Sequence, residues 1–136
     1  SHPDPDADRR EQTITHSLRP HKQDLIRSTV IKESTCLNQE PLMFEGVSST
    51  IDIPLSLFGE GLELTVFKKA EKEDLWIVRI VEIHGRNSKG TLNLKGTVAE
   101  CNLIEWENFG EPISVENELA LDLSPFEIKT YKVRFT

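Results

Sequence analysis

The chain's 136 residues fit one domain, and a hydrophobic content of 37% is enough to supply a core. Chains near this size bury only about two thirds of their unfolded surface. The formal net charge of -7, with no Lys/Arg cluster, counts against nucleic acid and anionic membranes, because both need a basic excess.

No apolar run approaches the roughly 18 residues of a membrane span, and no signal-like stretch follows the polar N-terminus. The expectation is a soluble fragment. Two cysteines, Cys36 and Cys101, are too few for a disulfide scaffold and read as small buried hydrophobes. With no Asn-x-Ser/Thr sequon in the chain, they favour a cytoplasmic home. The start at Ser1-His2, without an initiator methionine, suggests an excised fragment of a larger protein.

In chain order, residues 1–12 carry Pro3, Pro5, Asp4, Asp6 and Asp8 and read as a polar arm or linker ahead of a single β-sandwich domain over 13–136. Thr13 to Arg19 alternates Ile14, His16 and Leu18 against Thr and Ser, the pattern of a half-buried strand with His16 on its inner phase. From Asp24, a candidate N-cap, the residues Leu25, Ile26, Val30 and Leu37 predict an amphipathic helix or irregular crossing segment, weakened by the β-branched run at 29–31. Residues 38–61 read as loops with one or two short strands.

Leu62, Leu64 and Val66 alternate as a strand. Trp76 to Ile83 is apolar on both phases: Trp76, Val78 and Ile80 on one face, Ile77, Val81 and Ile83 on the other. A strand of that kind needs cover on both sides. Turns at 85–90 and at Lys95-Gly96 lead into Leu92 and Leu94, then Ala99, Cys101 and Leu103; Leu119, Leu121 and Leu123 make a further strand.

The closing strand starts at Pro125. Phe126 and Ile128 lie in one phase and Tyr131, Val133 and Phe135 in the other, which calls for a bulge near Lys129–Thr130 and a core position for Phe126. Short strands with Gly and Asn turns give the fold class: an all-β, immunoglobulin-like or Greek-key antiparallel β-sandwich with one short helix or irregular segment near the N-terminus.

Catalytic chemistry finds little purchase. Asp4, Asp6 and Asp8 begin a calcium-loop pattern, but Arg9 stands where the turn glycine belongs and Thr15 where the bidentate glutamate belongs. None of the histidines His2, His16, His21 and His84 has metal-ligand spacing, so no metal site is expected; His21 and His84 read as turn residues. Glu82, Glu100, Glu105 and Glu127 sit in or beside strands with no loop to pair them as glycosidase carboxylates. Glu127 and Lys129 are expected to pair across strands with Arg79 or Glu82. Trp106 and Phe109, around Asn108 and Gly110, are the candidates for a sugar-stacking platform.

Four ordered blocks carry a resemblance. Val98-Ala-Glu-Cys-Asn-Leu-Ile-Glu105 followed by Leu123-Ser-Pro-Phe-Glu-Ile-Lys-Thr130 is similar to the "E-x-N-L-x-E … L-x-P-F-E-I-K-T" ending of family 38 glycoside hydrolases, the α-mannosidases. His2 to Arg9 with Leu18-Arg-Pro-His21 resembles that family's head, and Ile80 to Arg86 its "R-x-Y-E-x-x-G" strand and turn. The resemblance implies the C-terminal β-sandwich region of a bacterial-type enzyme, detached from a catalytic barrel that hydrolyses terminal α-mannosidic bonds. The barrel and an α-mannoside are then the implied partners, and a divalent metal, zinc, belongs to the barrel, with no cofactor in this fragment. Asp6, Asp8 and Arg9 become candidates for the active-site rim or barrel interface, and the fragment alone is expected to be inactive. An independent carbohydrate-binding module and an immunoglobulin-like interaction domain are the alternatives.

Overall fold

The computed structural model describes residues 11, 13–26, 28–39, 45–46 and 54–136. The chain forms two compact units, Ser1–Glu45 and Gly46–Thr136. Within the first, helix α1 spans Val30–Asn38 and buries none of its residues. It starts later than Asp24, which instead supplies the carbonyl that accepts the Ser28 N–H in a preceding turn. The Thr29 hydroxyl at the helix entrance donates to Glu33 at 2.6 Å, and Glu33 also pairs with Arg19 at 3.1 Å. The expected strand over Thr13–Arg19 is absent. Ile14 and Leu18 are exposed, as is His16, because alternation alone makes no strand without a ladder partner. Cys36 is also exposed, against expectation, while Cys101 is buried; neither is bridged.

The second unit is an antiparallel β-sandwich. Its strands are β1 (Leu55–Phe58), β2 (Leu62–Lys69), β3 (Trp76–Glu82), β4 (Ser88–Leu94), β5 (Gly96–Cys101), β6 (Ile113–Val115), β7 (Glu118–Leu123) and β8 (Ile128–Phe135). One sheet has the order β1-β4-β7 and the other β2-β3-β8-β5-β6. The core lies between them. Leu55, Leu92, Leu94, Leu121 and Leu123 of the first sheet meet Val78, Ile80, Val98, Tyr131 and Val133 of the second. At one end of this layer Phe67 stacks on Trp76 with centroids 4.6 Å apart, and Phe135 meets both rings edge-on. Trp76 therefore takes the inward position its phase predicts.

The closing strand departs from expectation in an informative way. β8 pairs with β3 and β5 in unbroken register through Lys129 and Thr130, so no bulge exists there. The phase switch has another cause: Phe126 is not in the strand. It follows Pro125 in a tight turn, with φ of 59°, and Glu127 N–H donates to Ser124 O at 3.0 Å. Phe126 is 69% exposed, and Ile128 starts β8 half-exposed. The irregularity lies instead in β2, where the register against β3 shifts between Leu64 and Val66.

The second face of β3 is covered, at least in part, by the chain's own loops. Ile77 is fully buried, and its outward neighbours in the ladder, Ala99 and Lys132, are buried too. The β2–β3 loop (70–75) and the β5–β6 loop (102–112) lie over this face. Arg79 holds the second loop through its guanidinium, which donates to Leu103 O at 2.9 Å and Glu105 at 3.1 Å.

Candidate functional site

Two arrangements of polar side chains stand out. The first is an anchor. Glu82 ends the apolar run of β3 and is completely buried. It accepts hydrogen bonds from the N–H groups of His84 (2.9 Å), Gly85 (2.8 Å), Arg86 (3.3 Å) and Phe126 (3.0 Å), and from the Ser88 hydroxyl (3.1 Å). Burial by itself would push this carboxyl up; the donors from Phe126, His84, Gly85 and Ser88 outweigh it and hold the group at about 2.

Those donors come from two turns that cross between the sheets, β3–β4 and β7–β8. A third crossing, β1–β2, joins them: Ile83 N–H donates to Gly61 O at 2.8 Å, and a Cβ at Gly61 would sit 2.9 Å from Glu82 Oε1. Gly85, at φ of 69°, has the Phe126 ring where a side chain would go, 2.6 Å from Cβ. One sequestered carboxylate thus ties together two sheet crossings, and the backbone bond from Ile83 to Gly61 adds the third beside it. It has no access to a substrate, and His84 falls in a turn as its sequence predicts.

The second arrangement is a cleft on the outer face of the larger sheet. Cross-strand register places Lys68 and Lys132 on either side of Ile77. Each ammonium is met by a glutamate from a different loop, Lys68 by Glu105 at 3.1 Å and Lys132 by Glu73 at 2.5 Å. Between the two loops lies a cavity of about 580 Å³ whose lining includes these four residues, Glu71, Lys72 and Trp106. Trp106 is 71% exposed, and Lys72 Nζ lies over its ring, 5.3 Å from the centroid. Phe109 is 69% exposed but lines a different cavity, beside Glu100, Lys129 and Tyr131. The two candidate stacking residues therefore do not share one pocket.

The remaining acids have structural partners. Glu127 caps its own turn, accepting the Ser124 N–H at 2.6 Å, and Lys129 pairs with Glu100 at 3.7 Å and with Glu127 at 4.0 Å, not with Glu82. Arg79 is taken by Glu105. Among the described residues no three His, Cys, Asp or Glu side chains converge on a point where a metal ion could sit. Asp6, Asp8 and Arg9 lie outside the described residues. No helix among the described residues is long and apolar enough to cross a membrane.

The sequence offered one usable sign of the anchor: an acid closing an apolar strand, with a glycine turn three residues on. The cleft gave no comparable sign, since Lys68, Glu73, Glu105 and Lys132 are dispersed along the chain and only the fold assembles them.

Two antiparallel sheets packed face to face make the second unit a β-sandwich domain. Over residues 61–131 the sequence matches the Glycosyl hydrolases family 38 C-terminal beta sandwich domain, and the chain belongs to that family. The matched span contains Glu82 and every group that bonds to it. The chain is also 29% identical over 144 residues to Alpha-mannosidase G of Dictyostelium discoideum, covering 96% of this chain. It spans 13% of that relative's length.

Proposed function

We propose that this chain is a non-catalytic, structural C-terminal domain of an α-mannosidase whose catalytic barrel lies outside it. The observation that carries this reading is the commitment of its acids. Glu82 is sequestered in backbone donors, Glu73 and Glu105 are bound to lysines, and Glu127 is spent on its own turn. Each of these carboxylates is already engaged by hydrogen-bond donors or an ammonium, which leaves none of them free for the acid and nucleophile roles of two-acid glycoside hydrolysis. The domain's part is mechanical: a sandwich with three crossings fixed at one end presents a rigid flank to the barrel. The parent would cleave terminal α-mannosidic bonds with a divalent metal, zinc, bound by the barrel. Asp6, Asp8 and Arg9 belong to this reading as a rim or interface arm. Unbridged cysteines and the lack of a glycosylation sequon support a cytoplasmic setting.

Hydrolysis of an aryl α-mannoside separates the parts of this proposal. The full-length protein containing this chain is expected to turn the substrate over, and the chain alone is not, with or without added zinc. Turnover by the purified chain, abolished by changing one of its own acids, would overturn the non-catalytic role. An inactive full-length protein, loaded with zinc, would overturn the mannosidase assignment.

A further inference from the structure

We propose that the outer-face cleft is a binding site for a neutral pyranose, a non-catalytic sugar site in which Trp106 is the stacking platform and the Glu73–Lys132 pair reads the hydroxyl groups. The shape is suitable, since about 580 Å³ falls within the roughly 300–1,000 Å³ of small-ligand pockets. One side of a pyranose ring is a sheet of C–H bonds that packs flat against an aromatic face. Trp106, an exposed residue, offers such a face at the wall of the cleft, and the Lys72 ammonium, which lies over the ring 5.3 Å from its centroid, is the group a stacking sugar displaces.

Charge decides the class of ligand. Lysines 68, 72 and 132 are balanced by glutamates 71, 73 and 105 around the cavity. The balance gives no net field to draw in a phosphate or a cation. It gives fixed donors beside fixed acceptors instead. Lys132 is buried and its ammonium is held against Glu73, so a carboxylate oxygen and an N–H donor lie side by side beneath the opening. Neighbouring sugar hydroxyls, each both donor and acceptor, complement such a pair. Ordering is already complete before a ligand arrives, because both loops are tied down: one by Glu73 on Lys132, the other by Glu105 on Lys68 and Arg79. Phe109, facing another cavity, takes no part.

The site stands on the cleft's geometry, and only the choice of α-mannosides as leading probes rests on the function proposed above. The experiment is a titration of the chain with methyl α-mannoside, α-mannobiose and the matching glucosides and galactosides, followed by heteronuclear NMR and by indole fluorescence. Saturable binding is expected for at least one neutral glycoside, with shifts at Trp106, Glu73 and Lys132. W106A and E73Q are each expected to weaken it tenfold or more, and F109A to leave it unchanged. All three variants are checked by thermal melting, and a folded W106A that binds as the parent does would overturn the proposal. So would the absence of saturable binding across the panel. Binding of a glucoside or galactoside but no mannoside would uphold the site while leaving the mannosidase reading to the hydrolysis assay.

Discussion

Gly85→Ala should destabilise the sandwich for a backbone reason, and the reason can be isolated. Gly85 sits at φ of 69°, in the left-handed region, and its N–H donates to Glu82 at 2.8 Å. An L-residue there costs about 1–2 kcal/mol. The new Cβ also meets the Phe126 ring at 2.6 Å, but the contact is with the far end of an exposed side chain, which can shift at little cost. The backbone term should therefore dominate. For a unit the size of 46–136, thermal melting followed by circular dichroism should show Tm lower by about 5–15 °C. Gly85→Asn should lose about half as much, since asparagine tolerates this region better. Phe126→Ala alone should be mild, because little of its ring is buried, and adding it to Gly85→Ala should not restore stability. Full restoration in the double variant would refute the backbone reasoning and assign the cost to the ring; an unchanged Tm in Gly85→Ala would refute both.

Acid should expose the anchor: because the Glu82 carboxyl titrates near 2 in the fold and at about 4.5 when free, its contribution is complete above pH 4.5 and is lost as pH falls toward 2. Urea midpoints measured from pH 6 to pH 2 should fall in that window, and Glu82→Gln should start lower and fall less; equal slopes for the two proteins would deny the carboxylate this role. Thiol chemistry should distinguish the cysteines. A thiol reagent should react promptly with exposed Cys36 in the native chain and reach Cys101, whose thiol burial pushes up, only after denaturation; prompt labelling of both would contradict the buried outer face of β5.

The strands that pack on both sides were the most legible. Trp76, Val78 and Ile80 against Ile77 and Val81 announced a doubly covered strand, and Leu119, Leu121 and Leu123 alternate as β7 does, their periodicity reporting burial directly. Legibility failed where a partner, not a pattern, decides. Ile14 and Leu18 alternate like a strand yet find no ladder. Phe126 looked like core because it alternates with Ile128 in a strand expected to start at Pro125; the turn begun by Pro125 carries it outside. β6 is too short for any period, and its existence depends on β5 beside it. The anchor was half visible, as an acid before a glycine turn, but its most distant donor, Phe126 N–H, could be placed only once β8 was known to pair with β3. The cleft was visible only as Trp106, singled out with Phe109 as an aromatic in a loop; the lysines on β2 and β8 that share its cavity are far away in the chain.

Among the described residues, the two edges of the larger sheet are poorly shaped for pairing with a further strand. β6 offers three residues of free edge, and β2 is kinked by the shift at Leu64/Val66 before running out through Lys68 and Lys69. On the smaller sheet β1 has four residues, and β7 carries Glu118 and Asp122. Short, bent or charged borders are poor templates for another strand. A domain with exposed apolar side chains on one loop, Leu103, Ile104 and Phe109, and on the edge strand at Ile113, can therefore offer side-chain surface to other molecules while refusing them its backbone.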